Sequence, residues 1–159
     1  MVAPFLTGLG ILPFVGYSSP IQQLFNTHLP KLNPTQHHKN VSPVEMQLFY
    51  GATILTFLGG AHWGFASTSY NTKSTIVNSA RFTYGVLPSL IAWPLLSMAK
   101  TNQNLTIDGL SCGLLGAFVV DTNLLRASLI PRSFFRVRLI PTVFGVLSMQ
   151  SNHSRCSSK

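Results

Sequence analysis

Acidic residues are nearly missing from this sequence: Glu45, Asp108 and Asp121 are the three in 159 residues. The paired carboxylates that general acid–base work calls for do not occur near one another in the chain. Cysteine is scarce as well. Cys112 lies inside an apolar run and Cys156 in the tail, which gives neither a disulfide framework nor metal-ligand spacing, and leaves the redox compartment open. Charged residues of both signs make up 9% of the chain, against roughly a quarter in an ordinary soluble domain. That is too little to solubilise a chain that is 46% hydrophobic. There is no HExxH, no GxSxG and no glycine-rich phosphate loop. An enzyme, a cofactor and a bound metal are therefore not expected.

The net charge of +8 raises the question of nucleic acid. The eleven Lys and Arg residues are scattered, with no basic run and no aromatic-interleaved stripe, so the electrostatic footprint that nucleic-acid binding requires is missing. Long stretches carry no charge at all: Met1 to Pro30, Met46 to Thr72, and Phe82 to Ala99. Charge confined to the connections between apolar runs is the pattern of a polytopic membrane protein.

Five apolar runs predict five transmembrane helices, at about 3–25, 47–67, 82–98, 105–125 and 133–150, in one all-α membrane domain over 1–150 with a disordered polar tail at 151–159. The first run lacks the basic n-region of a secretory signal and the Arg-rich amphipathic character of a mitochondrial presequence, so it reads as a span. The stretch after it is rich in Asn, His, Lys and Gln, and Pro30, Pro34 and Pro43 make it a loop. Its adjacent His37 and His38 have no nearby Cys or carboxylate and do not make a metal site. Ser42-Pro43-Val44-Glu45 predicts a helix start, with serine as N-cap, proline in the first turn and Glu45 at the positive dipole end. Pro88 and Pro94 in the third run predict a kinked helix inside a bundle. The fifth run, Leu139 to Met149, is short for a span and contains Pro141; it reaches across only if its flanking arginines snorkel.

Two GxxxG pairs, Gly60/Gly64 and Gly109/Gly113, predict close helix packing through the second and fourth spans. Two ionisable residues fall inside spans. His62 beside Trp63 reads as an interfacial anchor, or else as a protonatable site. Asp121 costs about 2.5–3.5 kcal/mol at a bilayer centre and requires a positive partner. Arg138 is the first candidate, then Arg126, with Arg136 also on that side of the membrane. Asp108 is expected in the first turn of the fourth span, where the helix dipole favours it.

The stretch from Tyr50-Gly51-Ala52 through Phe57-Leu58-Gly59-Gly60 to Trp63-Gly64-Phe65-Ala66 resembles the signature of the transmembrane protein 69 family, also called domain of unknown function 3429. Gly8-Leu9-Gly10-Ile11-Leu12-Pro13-Phe14 is similar to that family's first span, Leu87-Pro88-Ser89 with Trp93 to its third, and Arg138 with Thr142 to the start of its last. His62 stands where the family often carries arginine. The resemblance implies a roughly five-span protein, associated in animals with mitochondria, and brings no activity, ligand or catalytic residue.

The sequence thus predicts a non-enzymatic accessory or assembly component of the mitochondrial inner membrane. Its partners would be the lipid bilayer and other membrane subunits, not nucleic acid. The alternative is a small transporter or channel using Asp121 and His62, which would need a water-filled path at mid-depth. The basic loops favour placing the second and fourth loops on the matrix or cytoplasmic side. The sequons at Asn40, Asn104 and Asn152 fall on the other side.

Overall fold

The computed structural model describes residues 17–28 and 42–156. Those residues form a short helix, α1 (Ser19–His28), and four long ones: α2 (Pro43–Ser67), α3 (Thr75–Ser97), α4 (Gln103–Arg126) and α5 (Arg132–Cys156). No strand occurs among the described residues. Most of the expected first span lies outside them, and α1 runs three residues beyond its expected end at Phe25.

Ser42 starts α2 as expected, through a full capping box. Its hydroxyl accepts from the Glu45 amide at 3.1 Å, and the Glu45 carboxylate accepts from the Ser42 amide at 2.7 Å. The helix stops at Thr68, whose hydroxyl donates back to the Gly64 carbonyl at 2.9 Å. Ser69 and Asn71 then take left-handed backbone conformations, φ 49° and 55°, and reverse the chain. The next helix, α3, begins seven residues before the expected boundary, at Thr75. Arg81 does not halt it because its guanidinium finds carbonyl partners in the neighbouring connections.

Asn102 caps α4 by accepting from the Leu105 amide at 3.1 Å. Because α4 begins at Gln103, Asp108 falls past its first turn, contrary to expectation. There it meets His153 at 3.3 Å and accepts from Gln150 at 3.2 Å. The last helix corrects one expectation: it is 25 residues long and continues to Cys156 through residues expected to be a disordered tail. The reason is that Ser148 and Asn152, one turn apart, face inward and are buried.

The long helices run up, down, up and down. Trp63, near the end of α2, donates to the Phe82 carbonyl near the start of α3 at 3.1 Å. Thr106 on α4 donates to the Leu95 carbonyl of α3 at 3.1 Å, and Phe118 of α4 stacks on Phe135 of α5 with ring centres 5.0 Å apart. Leu48, Leu55, Leu110, Leu114 and Met149 fill the middle of the bundle.

Helix packing through glycine is real but only partly where the sequence pointed. A Cβ on Gly113 would lie 2.7 Å from the Leu55 side chain, and one on Gly109 would lie 2.4 Å from Leu95. Gly60 and Gly64, by contrast, have nothing within 4 Å of a built Cβ. The α2–α3 contact falls one residue earlier, where a Cβ on Gly59 would lie 2.6 Å from the Gly85 carbonyl. One residue is 100° of helix rotation, enough to move a glycine pair from the contact to the open face.

The distribution of polarity is inverted. Gln47, His62, Arg81, Thr106, Asp121, Arg138 and Asn152 are buried, while Ile76 (82%), Trp93 (77%) and Phe57 (71%) lead a long series of exposed large hydrophobic side chains. Among the described residues one helix, α4, is apolar enough by length and composition to cross a membrane on its own account. The others carry more polar and charged residues, some buried, such as Gln47, Arg81 and Arg138, and some exposed, such as Ser79, Thr83, Arg132 and Arg136.

Candidate functional site

Each long helix sends one side chain to a common point inside the bundle: His62 from α2, Tyr84 from α3, Asp121 from α4 and Arg138 from α5. Asp121 is the centre. Its Oδ1 lies 2.9 Å from His62 Nε2, and its Oδ2 is paired with Arg138 Nη1. His62 and Asp121 are fully buried and Arg138 is 2% exposed. With a guanidinium against one oxygen the carboxylate is ionised, so it accepts the hydrogen on His62 Nε2. A neutral imidazole then leaves the cluster with no net charge, the condition under which buried charges are tolerated.

Aromatic rings close the cluster off. Tyr84 stands edge-on to His62 with ring centres 4.7 Å apart. Phe65 and Phe134 do the same at 5.8 and 6.3 Å, and they pack edge-on to each other at 5.1 Å. The side chains of Tyr84 and Arg138 also interact. Some capacity is left over: His62 Nδ1, Arg138 Nε and Thr142 Oγ1 are buried with no hydrogen-bond partner.

The sequence placed Asp121 with Arg138 correctly. Of the two readings of His62, the surface anchor fails and the grouping with Asp121 holds: His62 is fully buried, while its neighbour Trp63 is half exposed and donates to the Phe82 carbonyl. Arg126 does not reach the cluster and is exposed, as is Arg136. His37, His38 and Asn40 lie outside the described residues. Tyr84 was not anticipated; its signal is its position one turn from Arg81 on a polar stripe of α3.

A second buried polar group was also missed. Gln47 Nε2 donates to the Ser148 hydroxyl, and Asn152 Nδ2 donates to Gln47 Oε1 at 2.6 Å and to the Tyr17 carbonyl at 3.3 Å. This ties α2 and α5 to Tyr17, two residues before α1. Fifteen residues of α2 separate Gln47 from His62, about 22 Å of helix, and the leucine layer fills the space between them. At the other end Arg81 donates to the carbonyls of Phe65 (3.4 Å), Tyr70 (3.0 Å) and Leu129 (2.5 Å) and to Asn78 Oδ1 (3.1 Å). One buried side chain thereby fastens the α2–α3 and α4–α5 connections together.

Among the cavities that border described residues, three have a defined lining. One of about 470 Å³ is an outward-facing groove between α2 and α3, beside Phe57 and Trp93. Another of about 460 Å³ lies between the two connections that Arg81 fastens. A third of about 300 Å³ sits on the α3–α4 turn. His62, Asp121 and Arg138 line none of these three.

The family described as protein of unknown function (DUF3429) matches residues 2–152, and the chain belongs to it. No curated protein and no solved structure matches the chain.

Proposed function

We propose that this member of the family is a multi-pass helical membrane protein with a structural role, a non-enzymatic accessory or assembly component of an energy-transducing membrane. The observation that carries this is the inverted polarity: a neutralised charge cluster inside, and Phe57, Trp93, Ile76, Leu90 and Leu147 outside. Water gives no reason to expose such side chains around buried Arg and Asp, whereas a hydrocarbon solvent favours that arrangement. Helix length agrees. Helices of 23 to 25 residues are about 34–37 Å long, enough for a hydrocarbon core of about 30 Å. The mitochondrial inner membrane is the location implied by the resemblance of the second-span signature.

The cluster acts as a polar lock that fixes the register of four helices. A transporter would need a water-filled path to His62 or Asp121, and the three cavities described above are lined by neither. Catalysis would need several convergent reactive groups, and the cluster holds one carboxylate, already paired.

Alkaline carbonate extraction of native membranes tests the membrane reading: the chain is expected to stay in the pellet, and release into the supernatant overturns it. Mild-detergent co-purification tests the accessory role. A stoichiometric membrane-protein partner is expected, and a chain that migrates alone from freshly solubilised native membranes overturns it.

A further inference from the structure

The cavity between the two connections has a charge that no acidic side chain of the protein balances. Arg126 and Arg132 line it from one connection, with Ser128 and Ile130, and Tyr70 and Asn71 line it from the other. Its frame is fixed. Asn71 Nδ2 donates to the Ser128 carbonyl at 2.6 Å, both residues hold left-handed backbone conformations, and Arg81 grips the Tyr70 and Leu129 carbonyls from below.

All three acidic side chains are committed elsewhere. Glu45 is in the capping box at the far end of α2. Asp108 is near the far end of α4, with Gln150 and His153. Asp121 is buried between His62 and Arg138. Arg132 is also the first residue of α5, and Arg136 follows one turn on, with no acid in that first turn. Cations at the positive end of a helix dipole repel it. An external anion in the cavity reverses both terms, because it meets two guanidiniums and the free amides of a helix N-terminus together.

We propose that this cavity binds a phosphate group, held by Arg126 and Arg132 and by the amino end of α5. Guanidinium suits phosphate because its planar fork offers parallel donors to two oxygens. About 460 Å³ exceeds what a bare phosphate fills, and Ile130 gives the cavity an apolar wall, as a substituted phosphate requires. An anionic phospholipid headgroup and a soluble phosphate compound share this chemistry. The cavity's charge stands without the membrane reading; the lipid source rests on it.

The test uses the full chain in neutral detergent. Native mass spectrometry would count adducts with phosphatidic acid and, as control, with phosphatidylcholine; calorimetry would measure inorganic phosphate. The variants are R126Q/R132Q and, at the other end of the bundle, K100Q. Phosphatidic acid is expected to bind the wild type and K100Q alike, and R126Q/R132Q at least about tenfold more weakly, with an unchanged melting temperature. Displacement of the lipid from the wild type by a soluble phosphate monoester is a reading independent of the variants. Phosphate binding without lipid retention assigns the soluble source. Equal binding of phosphatidic acid by wild type and a folded R126Q/R132Q, or no binding of either ligand by the wild type, overturns the proposal. Release of the chain by alkaline carbonate while phosphate still binds would overturn the membrane reading alone.

Discussion

His62 Nε2 lies 2.9 Å from Asp121 Oδ1, and this contact joins two helices that run parallel and are not neighbours in sequence. Arg138 completes the carboxylate from the opposite side. Removing the negative partner alone leaves a guanidinium buried without a counter-charge. Asp121→Asn is therefore expected to destabilise the protein by on the order of 3–5 kcal/mol. The double variant D121N/R138M removes both charges and is expected to recover most of that loss. Thermal unfolding in detergent checks this; a double variant no better than D121N would show that the pair is not what makes the single variant unstable.

Glycine substitutions separate the packed face of α2 from its open one. Gly59→Leu places a side chain against the Gly85 carbonyl and Pro88, and overpacking of this kind costs about 1–3 kcal/mol. Gly113→Leu meets Leu55 and should behave alike. Gly60→Leu meets nothing and is expected to melt within about 0.5 kcal/mol of the wild type. If Gly60→Leu unfolds the isolated chain while Gly59→Leu does not, the α2–α3 rotation described above is incorrect.

What could be read in the sequence, and what could not, follows from the same geometry. Asp121 with Arg138 was legible because an acid in an apolar run needs a cation, and α5 begins six residues after α4 ends at Arg126. His62 was legible only as the less favoured of two readings, because it was judged with Trp63. Adjacent helical residues point 100° apart, so one reached the core and the other the surface. Gly60 was preferred to Gly59 for the same reason: the motif fixes a spacing, but packing fixes the rotation. The length of α5 was hidden by Gln150 and Asn152, which look like a solvated tail until Asp108 on α4 and Gln47 on α2 supply their partners.

Arg81 is expected to control the order of the end of the bundle. Its fork reaches four acceptors on three segments, a geometry that a lysine ammonium does not reproduce. Arg81→Lys should retain the charge yet lose at least about 2 kcal/mol, the scale of one or two hydrogen bonds to a charged group. Hydrogen exchange should quicken at the amides of Tyr70 and Leu129, which close the two turns onto Phe65 and Leu124, and stay slow at Leu110. Protection at Tyr70 and Leu129 equal to the wild type would mean that the turns hold without Arg81.

Orientation gives the last prediction. Lys73, Arg81, Arg126, Arg132 and Arg136 belong to the end where α2 meets α3 and α4 meets α5, whereas Lys100 and Arg155, with Glu45 and Asp108, belong to the other. In a membrane the basic end is expected to face the matrix or cytoplasm. Asn152 cannot serve as a glycosylation reporter, because it is buried against Gln47, so cysteine labelling is the better probe. In a C112S/C156S background, Thr101→Cys should react with an impermeant maleimide from the outer face of intact membranes, and Ser128→Cys only after permeabilisation. Both sites are exposed and lie in connections, so neither result depends on unfolding. Labelling of Ser128→Cys alone in intact membranes would invert the topology, and equal labelling of both would mean that the bundle does not separate two compartments.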